Sequence, residues 1–197
     1  LPGLYQFVAS MLTEGTKNYS ATELAKELEE RGMSLQVVPG GISMSLLSSD
    51  LQRGLELLEE IITSPRFDAD EIEKVRTQLL TEIKLFWDNP SQFASQLVAQ
   101  ELYKGHPYSK NVLGTEESIK KITKKDLVEF HKKYFSPQGA RMAIVGDIGN
   151  YDLKSLLDKG LANWKGQAIE EVAFPKLAAI KPCEKIHPIN RDQAVLC

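Results

Sequence analysis

Near the start of the chain, apolar residues recur three and four positions apart: Leu4, Phe7, Val8, Met11 and Leu12. That spacing returns to one face of a 3.6-residue period and predicts a buried helix, with Gly15 best suited to a left-handed C-terminal cap. Tyr5 is apolar as well, which leaves only Gln6, Ser10 and Thr13 for a polar stripe. Such a helix needs cover on more than one side. Ser20 and Glu23 have capping-box spacing and open a second helix that runs to about Arg31 and stops at Gly32, with Leu24 and Leu28 inward. The pattern then changes. Residues 34–38 and 42–48 are strand formers around Pro39-Gly40-Gly41 and predict a hairpin.

Helical spacing resumes with Asp50 as the expected cap and Leu51, Leu55, Leu58, Ile61 and Ile62 as one stripe, closed by Ser64-Pro65. A capping signal at Asp68 to Glu71 opens the longest stretch, through Ile72, Val75, Leu79, Ile83 and Phe86 to Trp87. Asp88-Asn89-Pro90 breaks it, and a further helix runs from Ser91 to about Leu102. Thr115 and Thr123 are expected N-caps of helices ending near Ile122 and Tyr134. Arg141 to Val145 predicts a compact strand, Gly146 to Gly149 a turn, and Tyr151 to Trp164 a last helix with Leu153, Leu156, Leu157 and Leu161 inward.

Pro175 to Pro188 holds three prolines and few apolar runs. We therefore divide the chain into a domain over 1–175 and, over 176–197, a linker with the start of a following strand or domain. Gln193 to Cys197 reads as a strand stopping midway, and Leu1-Pro2-Gly3 does not look like a natural start, so both ends are expected to be cuts in a longer chain.

Length of 197 residues, 42% hydrophobic and 26% charged content fit one globular core, and no run approaches the ~18 apolar residues of a membrane span. A net charge of -3 gives no electrostatic reason for nucleic-acid binding. Lys120, Lys121, Lys124, Lys125, Lys132 and Lys133 alternate with Ile122, Leu127 and Phe130, which predicts a solvated helix face with His131 among the lysines. Cys183 and Cys197 lack C-x-x-C spacing, so neither a disulfide framework nor a zinc knuckle is indicated. There is no P-loop and no G-x-G-x-x-G. Nothing in the sequence assigns a compartment.

Gln6-Phe7-Val8-Ala9-Ser10, followed by Met11-Leu12 and Gly15-Thr16, resembles the first motif helix of the insulinase/pitrilysin family of zinc peptidases, inverzincins with H-x-x-E-H at those five positions. Further along, Thr81-Glu82-Ile83, Asp88-Asn89-Pro90, His106-Pro107-Tyr108, Leu113 to Ile119 and Val145-Gly146-Asp147 resemble the same family in the same order. The resemblance implies an α+β fold of the processing-peptidase type, an antiparallel-rich sheet covered on one side by helices. The family's opening strands, which precede this helix, are not in the sequence.

By the same resemblance, Gln6 and Ser10 stand where the family has its two zinc-binding histidines, Ala9 where it has its general base, and Glu82 where it has its third ligand; Val75 replaces an acidic residue often found two turns earlier. Zinc prefers neutral imidazole or thiolate, so an amide and an un-ionised hydroxyl are poor substitutes, and a methyl group takes no proton from water. Glu82 alone survives as a metal-ligand position. On a face shared with Val75, Leu79 and Phe86, it is expected to be a partly buried carboxylate satisfied by backbone or a neighbour. Ser10 paired with His106, His131 or His187 is a weak nucleophile candidate, because Ser10 lies inside a helix without a G-x-S-x-G turn. His106, in a Pro-flanked loop, is expected to make a structural hydrogen bond, and His187 lies in the linker.

The resemblance, with these residues in place of the motif, implies a domain that is itself inactive and binds no cofactor, with zinc in a sister domain or subunit. Its role would be to shape a substrate chamber and help hold an extended peptide while the sister metallopeptidase cleaves it. The alternative is a structural or interaction protein of the same fold with no associated protease. An intact H-x-x-E-H elsewhere in the parent polypeptide or operon separates the two.

Overall fold

The computed structural model describes residues 1–38, 40–166, 173–177, 184 and 186. Helix α1, Leu4–Met11, is the centre of the packing. Phe7, Val8 and Met11 are buried on a core shared with Ile72, Val75 and Leu79 of α4, Ala69–Asp88, with Ile119 of α6, Glu116–Lys121, and with Leu127 of α7, Lys124–Tyr134. Leu12, one residue on, joins a second core with Leu24 of α2, Ala21–Glu30, and Leu57 and Ile61 of α3, Leu51–Thr63. The cover that α1 needs on several sides is supplied by α4, α6, α7 and the hairpin, with α2 and α3 closing over Leu12.

That hairpin is β1, Ser34–Val38, antiparallel to β2, Gly41–Ser45, in a register from Val38 opposite Gly41 to Ser34 opposite Ser45. Burial alternates along both strands, so Leu35, Val37 and Ile42 pack on the second core while Gln36 and Ser43 face solvent. The expected α+β class holds, as a small antiparallel sheet with helices on one face.

Helix termini follow the sequence closely where a side chain can cap. Ser20 with Glu23, Thr115 with Ser118 and Thr123 with Asp126 form capping boxes. Asn89 caps α5, Pro90–Leu102, by accepting from Ser91 N and Gln92 N at 3.1 Å. Asp50 and Asp68 do not cap their helices. Asp50 is drawn instead to Arg31 at 3.0 Å and Asp68 to Arg66 at 2.9 Å, since an ion pair competes for the same carboxylate oxygens. Gly15, at φ +108, takes the left-handed side, but α1 has already ended at Met11 and Gly15 opens the following turn.

The start of α1 rests on a close backbone contact. Gly3 and Gly114 sit at φ +80 and +81; a Cβ on Gly3 would meet Leu113 O at 2.6 Å, and one on Gly114 would meet Pro2 O at 2.7 Å. Glycine is required at both for sterics and for sign of φ.

Two predicted elements change. No strand forms over Arg141 to Val145 among the described residues, and Val145 is 95% exposed. A β-friendly run becomes a strand only beside a ladder partner, and none pairs with it among the described residues. The last helix, α8, is confined to Leu153–Gly160, and β2 ends at Ser45 rather than Ser48. Of the expected linker and strand over 176–197, all but residues 176, 177, 184 and 186 lie outside the described residues.

Candidate functional site

Helix α1 carries Gln6, Ala9 and Ser10, the three positions where the resemblance places the family's motif, through its packed centre. Ala9 is buried with 2% of its surface exposed, while Gln6 and Ser10, one turn apart, are half-buried on one side. Ser10 lies within the helix, and its carbonyl accepts from Thr13 Oγ1 at 3.3 Å. Among the described residues no histidine nitrogen bonds its hydroxyl, so no nucleophile–base pair is assembled.

Glu82 differs from expectation. It is exposed, and among the described residues no hydrogen bond or ion pair satisfies it. The buried stripe of α4 is Ile72, Val75, Leu79 and Ile83, and at 100° per residue Glu82 lies about 65° off its centre. It shares the edge of that stripe, not its middle. Val75, where the resemblance would have a second acid, has no exposed surface at all. No group of three His, Cys, Asp or Glu side chains able to hold a metal occurs among the described residues. An amide, a methyl, a hydroxyl and one solvated carboxylate do not fit zinc.

The spatial relation between α1 and α4 is nevertheless held firmly. Lys74 Nζ of α4 lies 2.6 Å from Glu14, just beyond α1, and 3.1 Å from Glu71. These partners raise the Lys74 pKa above its ordinary value, the hydrogen bond that Lys74 donates to Glu14 contributing most. Arg76 does more. Its guanidinium lies 5.2 Å from the Phe7 ring centroid and donates to Ile119 O and to Ile122 O, the latter at 2.9 Å. It thus joins α1, α4 and the carbonyl-rich end of α6 with one planar cation. Sequence reading missed Arg76. The available signal was its place four residues after Ile72 and three before Leu79, where a cation flanks a buried stripe.

The histidines separate. His106 Nδ1 accepts from Tyr108 N at 3.2 Å, the structural hydrogen bond expected of it, and its ring lies 5.2 Å from Phe174. His131 does not face solvent with the lysines. Its Nε2 bonds Ile62 O at 2.7 Å and its ring stacks on Phe135 at 4.9 Å, because α7 packs on α1 along this side. Burial lowers its pKa below the ordinary value, against a smaller opposing effect of the hydrogen bond. His187 lies outside the described residues.

Comparison with known proteins covers the whole chain. Residues 1–116 match the family model described as Insulinase (Peptidase family M16), and residues 121–197 match the one described as Peptidase M16 inactive domain. The chain is 30% identical, over 98% of its length, to the non-peptidase homolog YmxG of Helicobacter pylori, and covers 45% of that protein. It is 26% identical, over 92% of its length, to subunit 1 of the mitochondrial cytochrome b-c1 complex of Bos taurus, covering 38% of it. Among solved structures, a peptidase M16 inactive domain from Pseudomonas fluorescens matches with a TM-score of 0.79 at 24% identity, over 90% of this chain and 44% of that one. The last is a likeness of fold. The chain spans less than half the length of each of these relatives.

Proposed function

The chain belongs to the insulinase family, peptidase family M16, and from that premise we propose that it is a non-catalytic domain that walls a substrate chamber. In this reading it helps hold an extended peptide while a sister domain or subunit carries the zinc and cleaves. One observation carries it: α1 keeps its burial and its ties to α4, yet Gln6, Ala9 and Ser10 retain none of the chemistry of zinc binding or proton abstraction. Likeness to the family's inactive domain and to a non-peptidase homolog supports it. Several matched structures are of roughly double or greater length, including the first half of the periplasmic protease PqqL from Escherichia coli, which leaves room for a sister unit. A structural role without any protease is the second reading, favoured by the likeness to the cytochrome b-c1 subunit.

Elemental analysis after dialysis, together with a peptide-cleavage assay, tests the first half of the proposal. The expected result is neither stoichiometric zinc nor cleavage. About one zinc per chain, lost in Glu82→Ala, overturns it. Reading the rest of the parent polypeptide and its operon for an intact H-x-x-E-H decides between chamber and scaffold.

A further inference from the structure

The loop that follows α5 is held by more hydrogen bonds than its length requires. A single 3-10 turn, Pro107–Ser109, starts at His106, whose carbonyl accepts from Ser109 N at 3.0 Å and from Ser109 Oγ at 2.8 Å. Besides the Nδ1 bond to Tyr108 N, His106 N donates to Tyr103 O at 2.8 Å. Gln96 of α5 is buried and donates from Nε2 to Ser109 O at 2.9 Å. A buried amide needs such a partner, so Gln96 pins the turn to the helix.

These bonds gather three rings into one group. Tyr108 stands edge-on to Tyr103 at 5.7 Å and to His106 at 4.6 Å, and Tyr103 lies 6.1 Å from His106. Phe174 joins them from 66 residues beyond Tyr108, at 5.2 Å from His106 and 5.9 Å from Tyr108. All of these separations fall within the range of favourable aromatic pairs.

Nothing else ties this part of the chain down. Residues 173–177 are exposed, and among the described residues no hydrogen bond or ion pair holds them. Phe174 keeps 55% of its surface in solvent, so its contact is that of a reversible anchor and not of a core residue. Pro175 adds stiffness next to it, by disfavouring helical backbone at Phe174 and fixing its own φ. A ring seated at one residue therefore sets the direction of the next.

We propose that Phe174 is the anchor of a strap: its ring, seated on His106 and Tyr108, holds residues 173–177 against the α5 side of the domain and fixes the point from which residues 178–197 continue. The inference is independent of the chamber reading, since no residue of α1 or α4 takes part in it.

Trypsin, which cuts after the exposed Lys176, reads the strap in the 197-residue chain, because native-state cleavage follows the population in which a segment is released. The bond after Lys176 should be cut at least tenfold more slowly than in the free peptide 170–182. Phe174→Ala and Tyr108→Ala should each speed that cut at least fivefold and leave the cut after Lys133, within α7, unchanged. The double variant should be no faster than either single one, since both remove the same contact. Tyr108→Phe keeps the ring and should stay within twofold of the parent. A parent cut as fast as the free peptide, single variants with parent rates, or a double variant whose gain is the product of the two overturns the proposal. So does equal acceleration after Lys133, which would make Phe174 and Tyr108 contributors to global stability only.

Discussion

Helix α3 looks into two different environments. Leu57 and Ile61, at 1% and 0% exposure, are sealed by α1, α2 and the hairpin, whereas Leu58, one residue along, is half-buried and lines a cleft of about 910 Å³ that β2 and residues 141–147 also line. Among the described residues, the helical side closes with its own side chains, and the sheet side does not. Local periodicity is enough to build the first, because helices satisfy their own backbone and need only apolar faces that match. A sheet edge is finished by a neighbour that can come from anywhere in sequence.

The largest expected effect comes from breaking the closed side. Phe7 has no exposed surface and lies under Arg76, so Phe7→Ala should lose about 3–5 kcal/mol of unfolding free energy. Leu58→Ala, where one side already lacks neighbours, should lose no more than about 1–2 kcal/mol. Urea melts of both variants check the contrast, and equal losses would mean that the cleft is as well packed as the core.

Next in size is Arg76→Ala, which leaves the carbonyls of Ile119 and Ile122 without their donor and should cost about 1–3 kcal/mol. Arg76→Lys should recover less than half of that. A single ammonium cannot span two carbonyls while covering a ring face. Full recovery in the lysine variant would reduce the role of Arg76 to its charge.

Thr123→Ala sharpens the comparison at smaller scale. It removes one partner of the capping box with Asp126 and should cost about 1 kcal/mol. The cap also bears on what was legible. The hydroxyl caps at Ser20, Thr115 and Thr123, each completed by a side chain three residues on, are legible in the sequence because everything they need is local. Asp50 does not cap as expected because Arg31, 19 residues away, claims its oxygen, and at Asp68 the ion pair with Arg66, two residues before it, competes for the same oxygens. Arg141 to Val145 reads as a strand for sound local reasons and has no ladder to join. At Gln6, Ala9 and Ser10 residue identity alone says that no imidazole or carboxylate is present, and that much needs no structure. Glu82 was placed too deep, because spacing from Val75 and Leu79 does not say where the centre of the buried stripe falls.

His131 gives the smallest effect, and one whose sign is fixed by its surroundings. Lysines on either side of it in sequence suggested a wet face, yet Leu127 at i−4 is fully buried and carries His131 inward with it, beside Phe67 and Phe135. Burial holds its pKa below the ordinary 6.5. The unfolded chain therefore binds more protons than the folded one between those two values, and stability rises with pH across that window. The contribution is complete above about pH 7 and declines as pH falls through 6.5 toward the folded value. Glu27, held below the usual carboxylate range chiefly by its hydrogen bond from Arg53, gives way only at more acid pH, so the two losses are separable. His131→Gln keeps an amide donor for Ile62 O and removes the titration. Melting temperatures of both proteins at pH 7.5 and pH 5.5 provide the test. The parent should fall further than the variant, and parallel falls would show that His131 is as free to protonate as a solvated histidine.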